Sequence, residues 1–133
     1  MATTASKTSK RKTKKIVRSV QKGIISIQST FNNTIITISD TTGGVIAWAS
    51  AGSSGFKGAR KSTPYAAQMA MIGLLDRAKA VGMTEAIVTV CGVGSGRESA
   101  VRALGNSGID VVSIKDKTPI AHNGVRQKKP RRV

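Results

Sequence analysis

The sequence predicts a mixed α/β domain: a five-stranded mixed sheet with two helices, in the order β-β-β-α-β-α-β, flanked by a basic extension at each end. Three observations lead there. Short runs rich in Ile and Thr, separated by turn residues, fill the first half of the body. Two helical stretches then alternate with apolar runs in the second half. The positive charge is gathered outside both, in residues 1–22 and 117–133.

The runs Gly23–Thr30 (GIISIQST) and Thr34–Asp40 (TIITISD) carry the β-branched residues that suit a pleated surface. Phe31-Asn32-Asn33 between them supplies turn chemistry, because Asn tolerates the left-handed conformation. Thr42-Gly43-Gly44 is a second turn, and Val45–Ala51 (VIAWASA) a third strand. Strands joined this closely predict an antiparallel meander. Gly52–Ser62 (GSSGFKGARKS) reads as a flexible, cationic loop. Thr63-Pro64 opens a helix, with Thr63 as N-cap and Pro64 where a missing N–H costs nothing. Its apolar face through Ala66–Leu75 is broad enough to cover a sheet, and Gly82 is placed for a left-handed C-cap. A strand follows at 85–91, with Cys91 expected to be a small buried thiol. A second helix is predicted at about 96–107, where Ser95 and Glu98 fit a capping box. A last strand follows at Ile109–Ile114. The strand–helix–strand units imply a parallel portion of the sheet.

The chain has 133 residues and a formal net charge of +16. Residues 1–22 hold Lys7, Lys10, Arg11, Lys12, Lys14, Lys15, Arg18 and Lys22 and no acid. Residues 117–133 hold Lys117, Arg126, Lys128, Lys129, Arg131 and Arg132, again with no acid. Both arms have too little apolar content to fold alone, so the division is a disordered arm 1–22, a globular domain 23–116 and an arm 117–133. Cationic arms on a nearly neutral body are built to meet a polyanion, and nucleic acid is the expected one.

Other functions are excluded by what the chain lacks. No apolar run reaches the ~18–20 residues that span a bilayer, so no membrane role is expected. The charged start is unlike a secretory signal. It shares a Ser/Thr/Lys-rich composition with organelle transit peptides, but its first 15 residues hold one Arg and no amphipathic stripe. A cytoplasmic location is therefore expected. One Cys and one His do not make a zinc site, and no cofactor, metal or small-molecule substrate is expected. Gly92-Val93-Gly94-Ser95-Gly96-Arg97 lies after a strand and before a helix, where phosphate loops lie. It is not a Walker loop, and a dinucleotide fingerprint starting at Gly92 would need Gly at position 97. A tight turn and a seat for a nucleic-acid phosphate both remain open. A metal-dependent nuclease needs converging carboxylates, and Asp40, Asp76, Glu85, Glu98, Asp110 and Asp116 are scattered. His122 has no Ser, Cys or acid nearby to form a catalytic set, so no enzyme is expected. Asn123-Gly124 forms a turn and is chemically prone to succinimide formation.

Four segments, STFNNTIITISD (29–40), WASAGSSGFKGARKSTPYAAQ (48–68), GVGSGRESAVRAL (92–104) and DKTPIAHNGVR (116–126), resemble the family of bacterial-type small-subunit ribosomal protein eleven. The resemblance covers residues 22–133; the first 21 match only in being basic. It implies a ribonuclease H-like topology without that group's active site, and a structural role in the platform of the small ribosomal subunit, near the exit site and the messenger path. The implied partners are the central domain of small-subunit RNA and the neighbouring ribosomal proteins seven and eighteen, with messenger RNA close by. Carried over by position, the RNA-facing residues are Asn32, Asn33, Gly55, Phe56, Lys57, Arg60, Lys61, Thr63, Gly94, Gly96, Arg97, His122, Asn123 and Arg126, to which the cations of the two arms add. Ala121, Val125, Gln127 and Lys128 replace three prolines and a cysteine usual in that family, which makes the unbound C-terminal arm less extended.

Overall fold

The computed structural model describes residues 19–132. The strands are β1 (Lys22–Ser29), β2 (Thr34–Asp40), β3 (Val45–Ser50), β4 (Glu85–Gly92) and β5 (Asp110–Asp116), and the helices α1 (Pro64–Val81) and α2 (Gly96–Gly105). A single 3-10 turn, Gly58–Ser62, precedes α1. The sheet order is β3-β2-β1-β4-β5, so the first strand is central. It pairs antiparallel with β2 on one side and parallel with β4 on the other. With β2–β3 antiparallel and β4–β5 parallel, four strands run one way and β2 alone runs against them.

That arrangement decides where the helices go. From β3 the chain passes over β2 and β1 to reach β4, then moves on in the same direction to β5. Both crossovers join parallel strands and so share the right-handed sense. Two same-handed crossovers moving the same way put both helices on one face. One core results: Ile25, Ile27, Ile36, Ile38, Ala86, Val88 and Val90 from the sheet meet Ala67, Ala70, Met71, Leu74, Ala100 and Leu104 from the helices. The cross-strand pairs Ile25–Ile38 and Ile27–Ile36 form its centre, each fully buried Ile contributing roughly 1.5–3 kcal/mol. Alanines on the buried side of α1 let it lie close to both sheet and α2. The opposite sheet face carries no helix and is partly polar, with Thr89 donating to the Ser26 hydroxyl across it at 3.1 Å.

Several local expectations agree with the fold. Thr63 accepts the Ala66 N–H, Pro64 is the first helical residue, and Gly82 closes α1 at φ 87°. Others need correction. Lys22, assigned to the N-terminal arm, is the first residue of β1. The capping box at α2 does not form. Ser95 is already helical (φ −70°, ψ −17°), and its hydroxyl donates to the Ser62 carbonyl at 2.6 Å. Glu98 turns instead to Arg102, one helical turn on. A tertiary contact thus outcompetes the local cap. The 52–62 segment is also more structured than a flexible loop: the Ser53 and Ser54 hydroxyls both donate to the Ser50 carbonyl, and the 3-10 turn leads into α1. Cys91 is half-buried rather than buried, because the register places it opposite Gln28 on the helix-free face.

Glycine is required where β4 ends. Gly92 has φ +98°, and a Cβ there would overlap the Ser29 carbonyl oxygen; Gly43 has φ +99° but open space around it. Gly43→Ala should therefore cost only left-handed strain, about 1–2 kcal/mol. Gly92→Ala adds a backbone collision and should cost about 2–4 kcal/mol. Urea unfolding of the two variants checks this, and equal losses would show that the close approach to Ser29 carries no weight.

Candidate nucleic-acid interface

Because β1, β3, β4 and β5 are parallel, the segments that leave their carboxyl ends emerge at the same end of the sheet. These are the 30–33 turn, residues 51–63, the 92–95 turn and the chain from Lys117 onward. The N-termini of α1 and α2 open at that end too, with their positive dipole ends. Hydrogen bonds tie the segments together. Ala51 N–H donates to the Thr34 carbonyl at 3.0 Å, and Lys117 N–H to that of Val90 at 2.8 Å. Gly92 N–H donates to the Thr118 hydroxyl at 3.2 Å, and the Ser99 hydroxyl to the Pro64 carbonyl at 2.9 Å. The Ser95–Ser62 bond joins the start of α2 to the basic segment.

Charge is sorted along the same axis. Asp40, Glu85 and Asp110 lie at the opposite, amino end of the sheet, and Asp76 lies in the second half of α1, which runs toward it; the exposed Lys22, Arg77 and Lys79 lie there too and largely offset them. The two remaining acids, Glu98 and Asp116, are paired with Arg102 and Arg97 at 3.6 and 2.6 Å. The carboxyl end is left with exposed Lys57, Arg60 and Lys117, half-buried Lys61, and the exposed tail that follows. Among the described residues no His, Cys, Asp or Glu cluster could hold a metal ion, and no helix is long and apolar enough to cross a membrane.

The residues singled out in the sequence divide into framework and free groups. Thr63 holds the entry to α1, accepting from Ala66 and donating to the Arg60 carbonyl at 2.7 Å. Phe56 is half-buried, edge-on to Tyr65 with ring centroids 5.8 Å apart, and Gly55 (φ +96°) makes the bend before it. Side chains at Gly94 and Gly96 would overlap the hydroxyls of Ser29 and Thr34, so these glycines let α2 start hard against the β1–β2 hairpin. That packing accounts for both without a ligand. Arg97 donates to the Gly92 carbonyl and to Asp116, both at 2.6 Å. Asn33 accepts the Thr34 N–H through Oδ1 at 2.9 Å. Asn32 is exposed beside it, as are His122, Asn123, Arg126, Lys128, Lys129, Arg131 and Arg132 in the tail. Asn123 adopts φ 58°, the left-handed turn its Asn-Gly pair suggests. Lys7, Lys10, Arg11, Lys12, Lys14, Lys15 and Arg18 lie outside the described residues. Sequence reasoning missed Asp116 as the partner of Arg97 and Ser62 as that of Ser95, since no local pattern links residues so far apart.

The comparisons with known proteins agree with one another. The family model described as Ribosomal protein S11 matches residues 23–132. The small ribosomal subunit protein uS11 of Rippkaea orientalis (strain PCC 8801 / RF-1) is 56% identical over 126 residues, covering 95% of this chain and 97% of the relative.

Asp116 offers a test of the latch on the C-terminal tail. The Thr118 hydroxyl and N–H, then Arg97, hold its carboxyl well below the usual carboxylate range. A carboxyl whose folded value is depressed stabilises the fold above its unfolded value, and loses that contribution as pH falls through the folded value. Asp116→Asn should therefore lower stability near neutral pH, with the gap to wild type closing as pH falls below about 4. Unfolding midpoints from pH 7 to 2 read this out; a pH-independent gap would show that ionisation of Asp116 is not what holds the latch.

Proposed function

Because this chain belongs to the Ribosomal protein S11 family, and so is a structural, non-enzymatic component of the small ribosomal subunit, we propose that it docks on small-subunit RNA through the carboxyl end of its sheet. The observation that carries this reading is the distribution of charge: at the amino end the acids are offset by Lys22, Arg77 and Lys79, two further acids are paired within the domain, and the cations on the loops and tail at the other end face no unpaired acid. Lys57, Arg60 and Lys61 project from a segment braced by the Phe56–Tyr65 contact and the Ser62–Ser95 hydrogen bond, so their approach to a backbone is pre-set. Such contacts position the protein and carry little sequence information; selectivity for RNA comes from the shape of its folded helices. The tail from Lys117 leaves the same end and extends the cationic track, with Arg126, Lys128, Lys129, Arg131 and Arg132 as phosphate partners. Lys10, Arg11, Lys12, Lys14, Lys15 and Arg18 are assigned the same role from composition. In this reading the docked body sits in the platform, near the exit site and the messenger path, beside ribosomal proteins seven and eighteen, a location supported by the family resemblance, and the ribosomes are cytoplasmic ones, as the composition of the N-terminus suggests.

The test is binding of the full chain to the central domain of small-subunit RNA and to duplex DNA of similar length across a range of salt. RNA should be preferred, and log affinity should fall with log salt by ~0.7–0.9 for each phosphate neutralised. Replacing Lys57, Arg60 and Lys61 together by Ala should reduce that slope by roughly 2–3. Equal affinity for DNA would point to a general nucleic-acid coat, and an unchanged slope would remove the basic segment from the interface.

A further inference from the structure

We infer that Phe31 is a stacking platform for an unpaired nucleobase of the RNA, a reading that rests on the docking proposed above and deepens it. Phe31 sits at the tip of the β1–β2 turn, with 78% of its surface exposed. The turn that carries it is tightly held. The Thr30 hydroxyl accepts the Asn33 N–H at 3.1 Å and the Asn32 N–H at 3.4 Å, and donates to the Asn33 carbonyl at 3.1 Å. Thr30 N–H reaches that carbonyl at 2.8 Å. The ring is therefore presented outward by a fixed backbone, and the fold gains little from it.

Its surroundings favour a base over a protein side chain. The turn lies at the cationic end of the sheet, where the basic segment and both helix N-termini open. The other aromatic rings of that end, Phe56 and Tyr65, already engage each other. A side chain at Gly94 would meet the Thr30 carbonyl, so the backbone after β4 runs against the same turn, and Val93 before that glycine is exposed as well. Asn32, exposed next to the ring, carries an amide that can donate to and accept from a base edge. An aromatic face beside an amide and within reach of cations is how proteins capture splayed-out bases in RNA loops.

The experiment compares wild type, Phe31→Ala, Phe31→Leu and Phe31→Tyr for binding to the central domain of small-subunit RNA across the same salt range. Stacking on one base should make Phe31→Ala bind about 5- to 150-fold more weakly at every salt concentration, with the salt slope unchanged. Phe31→Tyr should bind like wild type and Phe31→Leu close to Phe31→Ala. In a Trp48→Phe background, Phe31→Trp should show indole fluorescence quenched by the RNA. Wild-type affinity in Phe31→Ala, with RNA still preferred, would overturn the stacking inference and leave the docking intact. Full affinity in Phe31→Leu would overturn it too, by reducing the contact to apolar burial. Loss of the RNA preference in wild type itself would overturn the docking, and the inference with it.

Discussion

The parallel pairing of β1 with β4, in register from Lys22–Glu85 to Ser29–Gly92, is the constraint on which the rest depends. It joins an antiparallel meander to two strand–helix–strand units in one sheet and makes the first strand central. Once β4 runs alongside β1, right-handed crossovers leave both helices only one face to occupy. The same pairing brings the carboxyl ends of four strands together. It also explains the glycines after β4. The chain must turn from strand to helix directly against the end of the β1–β2 hairpin, and side chains at 92, 94 and 96 would collide with Ser29 and Thr34.

Topology thereby does electrostatic work. Asp40, Glu85 and Asp110 stand at the amino end because they begin or end strands there. The basic segment after β3 and the tail after β5 leave from the other end. Helix dipoles add positive potential where the cations already are. The remaining two acids each face an arginine of the domain, and the Arg97–Asp116 pair also fixes the point from which the tail departs. A domain close to neutral as a whole thereby carries its excess of positive charge at one end.

Much of this was legible in the residues. The bounds of β2 follow from a Thr/Ile run between Asn and Gly turns, and those of α1 from Thr63-Pro64 and Gly82, because strand propensity and helix caps act over a few positions. The failures have one cause. Ser95 and Glu98 carry a capping-box pattern, yet the Ser95 hydroxyl finds the Ser62 carbonyl, a partner 33 residues away. The 52–62 segment looks flexible by composition, but serine hydroxyls folded back on Ser50 and a ring contact at Phe56 give it a defined path.

Residue chemistry on its own therefore settled the order of elements and the excess of positive charge, and pointed to a polyanion as partner, since propensity, periodicity and net charge are properties of neighbouring residues or of plain sums. The family resemblance, too, was carried by local motifs. Only the folded chain decided which glycines serve packing, which arginine is spoken for, and that Phe31 is held out in solvent at the cationic end. Those are properties of contacts between distant segments, and the pairing of β1 with β4 creates them.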